Sequence, residues 1–219
     1  MNIHFKFEYV YVLLILVLLS VLLFTYTKNN TLKKAIELQE TNILLSNPRN
    51  DINFSHKVKI LESNMKFNLE NNGIKLLNTN LRSQTGEKAS LHAIAGKGGS
   101  YKLIVRISDM FCNTCNEYLI LKLVRIKDEI GIDNIIIIGS FQNNNSMKIL
   151  RDNLKIPFQI FSTIDNDAFN YLPIERENFP YCFIVDKSKA IQHIYLPIKS
   201  EPDMSEKYFE AIAKRYFDN

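Results

Sequence analysis

The feature that most limits what this chain can become is the stretch from Tyr101 to Gly139. It reads as an apolar strand with KLIVRI at its heart, then Cys112-Asn113-Thr114-Cys115, then a helical segment, then the run IIII. Within Cys115 to Ile130, the residues Tyr118, Leu119, Leu123, Ile126 and Ile130 recur at helical spacing and define one buried face. The segment Asn134 to Gly139 shows no polar alternation, as expected of a strand buried on both faces of a parallel sheet. Strand, helix and buried strand in this order predict an α/β fold with covering helices.

The flanking sequence extends the pattern. Leu76 to Arg82 and Lys88 to Leu91 surround a turn-forming SQTGE and predict a hairpin. Val58 to Leu69 is compatible with strand or helix. Residues 144–153 read as helix, Phe158 to Phe161 as extended, and Asp165 to Tyr171 as a short helix. Tyr181 to Val185 and Ala190 to Tyr195 read as two strands around the turn DKSK, and an amphipathic helix is expected from about Pro202 to Phe217.

The chain holds three cysteines among 219 residues. A small secreted domain stapled by disulfides would carry more. Cys112 and Cys115 are too close in sequence to close a long loop, and their spacing suits a bond that opens and closes. Placed at the start of a helix, Cys112 meets unpaired backbone N–H groups and the positive end of the helix dipole, which favour a thiolate. Cys115, one turn on, lies on the same side and can attack a mixed disulfide formed at Cys112. Half of a zinc site would use the same spacing, but there is no second CxxC or CxxH pair. His4, His56, His92 and His193 stand apart from one another, so no metal is expected. No other cofactor is called for. Cys182 reads as a small buried apolar residue. Pro180 precedes a buried strand, where its missing N–H is tolerated.

Nucleic acid is not an expected partner, because the formal charge is only +4 and the lysines form no stripe. Lys97-Gly98-Gly99 lacks the spacing of a phosphate loop. The uncharged run Tyr9 to Tyr26, at about 1.5 Å per residue, gives a helix of roughly 27 Å, enough to cross a bilayer core. The following Thr-Lys-Asn-Asn offers no signal-peptidase site, so an uncleaved anchor is expected. Thr31 to Leu45 has apolar residues on one helical side, a stalk with weak self-association through residues 31–45. Pro48 breaks this segment. The expected organisation is residues 1–28 as membrane anchor, 29–56 as helical stalk and linker, and 57–219 as the α/β domain.

From about Leu76 onward the chain resembles the TlpA/ResA-like branch of the thioredoxin superfamily, the redoxin-domain proteins of bacterial envelopes. The resemblance rests on the hairpin with Gly86 and Leu91, KLIVRIS running into CNTC, the strand IIIIGS, FPYCFIVD and the turn DKSKA. It implies a thioredoxin-like fold, a central mixed sheet flanked by helices, with a transmembrane helix ahead of it. It also implies a thiol–disulfide oxidoreductase in which Cys112 is the catalytic nucleophile and Cys115 resolves. Pro180 would be cis and face the disulfide, and Phe179 would line the substrate groove with its backbone. The implied partners are protein thiols and disulfides and an upstream electron donor. The implied location is the extracytoplasmic (periplasmic) side of a membrane, held by a single-pass anchor. Three positions depart from the family pattern. Phe111 stands in place of Trp, Thr114 in place of Pro, and Arg106 where thioredoxin has a buried acid that aids proton transfer to the second cysteine, with Glu117, the carboxylate nearest Cys115 in sequence, a candidate substitute. These departures keep open a second reading, a non-enzymatic interaction or redox-sensing module.

Overall fold

The strand expected at Tyr101 lies inside a seven-stranded sheet as β3 (Tyr101–Ser108), buried at every position after its first. The structure, a computed structural model, describes residues 25–30, 33–34, 48–165 and 167–218. The chain divides into two units, Met1–His56 and Lys57–Asn219, and the fold below is that of the second. The sheet also contains β1 (Asn80–Ser83), β2 (Lys88–Ser90), β4 (Ile135–Ser140), β5 (Gln159–Thr163), β6 (Tyr181–Asp186) and β7 (Ile191–Tyr195), in the order β2-β1-β5-β4-β3-β6-β7. β3 runs parallel to β4 and antiparallel to β6, while β4 runs parallel to β5. The β1–β2 hairpin adds to the edge of β5, and β7 closes the other edge beside β6.

Helices α1 (Pro48–Asn71), α2 (Leu91–Ala95), α3 (Asn113–Arg125), α4 (Lys127–Ile130), α5 (Asn144–Leu154) and α6 (Pro202–Tyr216) accompany the sheet. On one face Leu103, Val105, Ile107, Ile135 and Ile137 pack with Leu119 and Leu123 of α3, Met147 of α5 and Phe209 of α6. On the other, Ile104, Ile136, Ile138, Tyr181 and Phe183 pack with Phe67 of α1, Leu91 of α2, Phe169 and Ile174. The unbroken isoleucine run of β4 therefore serves two cores at once. Each such side chain contributes about 1.5–3 kcal/mol by leaving water. This mixed sheet between helices, with parallel central strands and an antiparallel β6–β7 pair, is the thioredoxin-like fold.

Several expectations are corrected. Residues 48–56 of the expected linker are helical, since a proline at the first position of a helix gives up only an N–H that has no intrahelical partner. The ambiguous stretch Val58 to Leu69 belongs to the same helix. Asp165 and residues 167–171 form bends and turns rather than a helix, and the helical turn follows as a 3-10 segment at Pro173–Glu177. Leu91 opens α2 instead of ending a strand, because the Ser90 side chain accepts from Ala93 N and caps the turn. Among the described residues no helix is long and apolar enough to cross a membrane. The apolar run Tyr9 to Tyr26 lies outside the described residues except for Thr25 and Tyr26, and so does most of the stalk at 31–45.

Helix α5 begins with a side-chain cap, Asn143 Oδ1 accepting from Ser146 N at 2.9 Å. Asn143→Ala is expected to cost about 1 kcal/mol in urea unfolding, the usual value of such a cap. A cost indistinguishable from zero would show that the helix start is held by packing alone.

A second expectation concerns alkaline pH. Burial is the first cause raising Tyr181, Cys182 and Tyr208, and it raises Tyr195 to about 12. These acids are neutral when protonated, and the unfolded chain loses their protons earlier. Their contribution to stability is complete below the unfolded values, about 8.5 for thiol and 10 for phenol, and is lost as pH rises toward the folded ones. Lys102, lowered by burial, works in the opposite direction over part of this window. With these four, and Tyr171 and Tyr216 raised likewise by burial, set against one, the urea midpoint is expected to fall between about pH 9 and 11. A midpoint that stays level through that range would contradict this.

Candidate functional site

Ser108 ends β3 and organises the loop that delivers the two cysteines. Its carbonyl accepts from Phe111 N at 3.0 Å and from Asn116 Nδ2 at 3.0 Å, and its hydroxyl accepts from Met110 N at 3.1 Å. Asp109 ties the loop to the end of β4, its N–H donating to Ser140 O at 3.1 Å and its carboxylate accepting from Gln142 N at 3.0 Å. The chain then turns into α3 with Cys112 as the N-cap residue. Its carbonyl accepts from the N–H groups of both Cys115 and Asn116, each at 3.0 Å. As the N-cap residue, Cys112 stands at the helix end whose unpaired N–H groups and dipole favour negative charge.

Cys112 and Cys115 are joined by a disulfide, with their Cα atoms 5.2 Å apart. Both residues are half-buried, and Asn113 and Thr114 between them are exposed. Burial alone does not separate the two cysteines. Thr114 Oγ1 lies 3.3 Å from Cys112 Sγ. Thr114 therefore supplies a hydroxyl within reach of the Cys112 sulfur.

Beneath the loop, Arg106 is 2% exposed and is held on every side. Its Nε and Nη2 both donate to Glu175 Oε1, at 3.1 and 2.6 Å, its Nη1 donates to Ile107 O at 2.6 Å, and its Nη2 to Ser140 Oγ at 2.8 Å. Glu175 Oε2 accepts from the buried Tyr181 hydroxyl at 2.6 Å. The guanidinium also lies over two rings, 4.9 Å from the centroid of Phe169 and 5.6 Å from that of Phe111. Phe111, next to Cys112, is thereby fixed over a paired cation. The buried acid of this site is Glu175, from the 3-10 turn. Glu117, the carboxylate closest in sequence to Cys115, is exposed on α3.

Phe179 and Pro180 stand at the same end of the sheet. Tyr181 pairs in register with Arg106, so Pro180 precedes β6 at the level where β3 leads into the cysteine loop. Pro180 is buried, Phe179 is 44% exposed, and Asn178 turns the chain with a left-handed φ of 56°. The described residues contain no cis peptide bond, so the Phe179–Pro180 bond is trans and the expectation of a cis proline is corrected. Asn178, Met110, Phe111 and Phe141 line a cleft of about 380 Å³ whose floor includes Arg106 and Glu175. Met110, at 80% exposure, stands at its rim. A Cβ on Gly139 would come within 2.1 Å of the Phe141 ring. Gly139→Ala is therefore expected to swing that ring and reshape the cleft, and unchanged binding of a substrate peptide would show that the cleft is not used.

Cys182 is fully buried on β6, its sulfur 3.8 Å from Tyr195 O, and burial raises its thiol far above the ordinary range. It stays protonated and packs as an apolar residue. Among the described residues no group of three or more His, Cys, Asp and Glu side chains is arranged to hold a metal ion.

No protein-family model matches the chain, and no curated protein sequence matches it. Solved structures do. A thiol:disulfide interchange protein from Bacteroides sp. is 17% identical, over 64% of this chain and 90% of that one, with a TM-score of 0.45. The thioredoxin domain of a thiol-disulfide oxidoreductase from Bacteroides vulgatus is 17% identical, over 63% and 96%, with a TM-score of 0.43. A peroxiredoxin-like protein from Aquifex aeolicus is 14% identical, over 64% and 86%, with a TM-score of 0.46. At these values the likeness carries no conclusion about activity, and the fold rests on the strand order given above.

Proposed function

We propose that this chain is a thiol–disulfide oxidoreductase whose dithiol is Cys112 and Cys115. The observation that carries this reading is the disulfide between them at the N-cap of α3. In the reduced protein the Cys112 thiolate attacks a disulfide sulfur of the substrate, forming a mixed disulfide and releasing one substrate thiolate. Cys115 then attacks Cys112 Sγ, releasing the second substrate thiolate and leaving the Cys112–Cys115 disulfide. Two electrons pass to the substrate, and an upstream dithiol donor must return two to the protein. Phe179 and Pro180, just ahead of β6 at the end of the sheet where β3 leads into the cysteine loop, are the proposed substrate-binding residues, acting through backbone and ring surface.

The chain is further proposed to act on protein disulfides in a cell envelope as a member of the TlpA/ResA-like branch, anchored by residues 1–28. The apolar run Tyr9 to Tyr26 supports the anchor, and a working dithiol supports a compartment in which disulfides form. One observation favours the non-enzymatic, redox-sensing alternative. The buried acid near the loop is bound to Arg106 and Tyr181, leaving it poorly placed to move a proton to or from Cys115.

Reduction potential and turnover together decide between the two. A potential near −270 mV, on the scale where thioredoxin sits, with catalysed reduction of a protein disulfide, is the expected result. A value near −120 mV would instead mark an oxidant. If neither thiol reacted with an alkylating agent in the reduced, folded protein, the oxidoreductase reading would be removed altogether.

A further inference from the structure

Helix α1 uses one face to hold the domain. Ile60, Asn64, Phe67 and Asn71 are each at most 7% exposed. Asn64 Oδ1 accepts from Leu196 N at 2.8 Å, and Asn71 Oδ1 accepts from Ile174 N at 3.4 Å, so this face is locked to the chain after β7 and to the 3-10 turn. With about 100° of rotation per residue, Val58, Leu61, Met65 and Leu69 point roughly 130° away from it. Leu61, Met65 and Leu69 are 57%, 66% and 76% exposed, and Val58 is half-buried. Phe54, earlier in the same helix, is 69% exposed. Large apolar side chains lined up in water mark a surface that another body covers.

The spacing says what kind of body. Phe54, Val58, Leu61 and Met65 advance by steps of four, three and four, the alternation that brings successive apolar residues to one seam between two helices. The flanks carry complementary charge. Lys57 borders the stripe on one side and Glu62 on the other, five residues apart. In two parallel helices in register, residues so placed meet across the seam. Lys57 of each copy then faces Glu62 of the partner subunit, twice by symmetry. An antiparallel arrangement removes both pairs. Lys57 already lies 3.3 Å from Glu201, but it is half exposed and its ammonium has three donors. The lysines near the stripe, Lys57, Lys59 and Lys66, are interspersed with Glu62 and Glu70, and Lys66 pairs with Glu70 at 3.7 Å. That mixed balance suits a self-complementary contact better than an anionic lipid surface.

We propose that the outward stripe of α1 is a docking seam for a second copy of this chain, packed in parallel. Two heptads are too few for a strong autonomous coiled coil, so the contact is weak and depends on concentration. The proposed anchor supplies that concentration by confining two chains to one bilayer, and it also sets both amino termini on the same side, as a parallel pair requires. The seam itself does not rest on the redox reading.

The test uses the whole chain in zwitterionic lipid vesicles, in a Cys112→Ser/Cys115→Ser background. Oxidation of Met65→Cys is expected to give disulfide-linked dimers in at least about tenfold greater yield than Ser63→Cys, which faces elsewhere on the helix. Circular dichroism checks that each variant is folded. Equal yields at the two positions, or none at either, would overturn the proposal. In the Met65→Cys chain, Lys57→Glu alone and Glu62→Lys alone are each expected to weaken dimers, and mixing the two variants to restore them as the mixed pair. No restoration would overturn the parallel seam. Quenching of a fluorophore at position 65 by spin-labelled lipid would assign the stripe to the membrane instead, and the proposal would fall.

Discussion

Glu175→Ala is expected to lower the free energy of unfolding by about 3–5 kcal/mol, the cost of leaving a buried charge without its partner. Arg106 is 2% exposed, and two of its three nitrogens donate to Glu175 Oε1. Removing the carboxylate strands the guanidinium in a low-dielectric interior and leaves the Tyr181 hydroxyl without its acceptor at 2.6 Å. Native domains hold only about 5–15 kcal/mol in total, so this single change consumes a large part of the margin. Arg106→Ala should be damaging for the mirrored reason. Replacing both residues by apolar ones of similar volume should cost far less than the two single changes summed, because the desolvation penalty goes with the charges. Urea denaturation of the two single variants and the pair measures this directly. If Glu175→Ala costs under about 1 kcal/mol, the pair is not the buried, mutually dependent unit described here.

The network also shows where sequence reasoning stops. An arginine inside KLIVRIS demands a buried acid, because an unpaired guanidinium could not be accommodated among those apolar neighbours. The demand is legible, but the identity of the acid is not. Glu175 is 69 positions away and arrives on a 3-10 turn that follows a proline. Glu117, the carboxylate that the sequence offered for proton transfer to Cys115, is exposed on α3. Strands β3, β4 and β6 were legible because runs such as IIIIG and YCFIV can be satisfied only by burial on two faces. The start of α1 was not, because Pro48 marks a break and a helix start equally well, and its low apolar periodicity hid the long helix that follows. The short helix expected at 165–171 failed for a different reason. Asp165 Oδ1 accepts from Asp167 N at 3.2 Å and Asp167 Oδ1 from Asn170 Nδ2 at 2.7 Å, local side-chain bonds that favour turns over helix.

The cysteine loop was the most legible part of the site, and its two sulfurs should separate cleanly by mutation. Cys112→Ser is expected to lower disulfide-reducing turnover by on the order of 10³-fold or more, since the proposed nucleophile itself is lost. Cys115→Ser should lose multiple turnover to a similar extent, yet keep the first half of the reaction. Cys112 would still attack, one substrate thiolate would still leave, and the mixed disulfide would then persist because nothing within reach can displace it. The geometry gives the reason for this asymmetry. Cys112 occupies the N-cap, where the opening N–H groups of α3 favour its thiolate, whereas Cys115 lies within the first helical turn and its own N–H is already donated to Cys112 O at 3.0 Å. Exposed Thr114, with its hydroxyl 3.3 Å from Cys112 Sγ, adds a donor to the first sulfur. Thr114→Val should therefore slow the attack by Cys112 modestly while leaving its dependence on Cys115 intact. Mass spectrometry of each variant after reaction with a cysteine-containing peptide disulfide reads the adduct site. Adduct on Cys112 in Cys115→Ser, with none on Cys115 in Cys112→Ser, is the expected pattern. Equal labelling of the two sulfurs would mean that the helix start does not distinguish them, and the assignment of attacker and resolver would have to be abandoned.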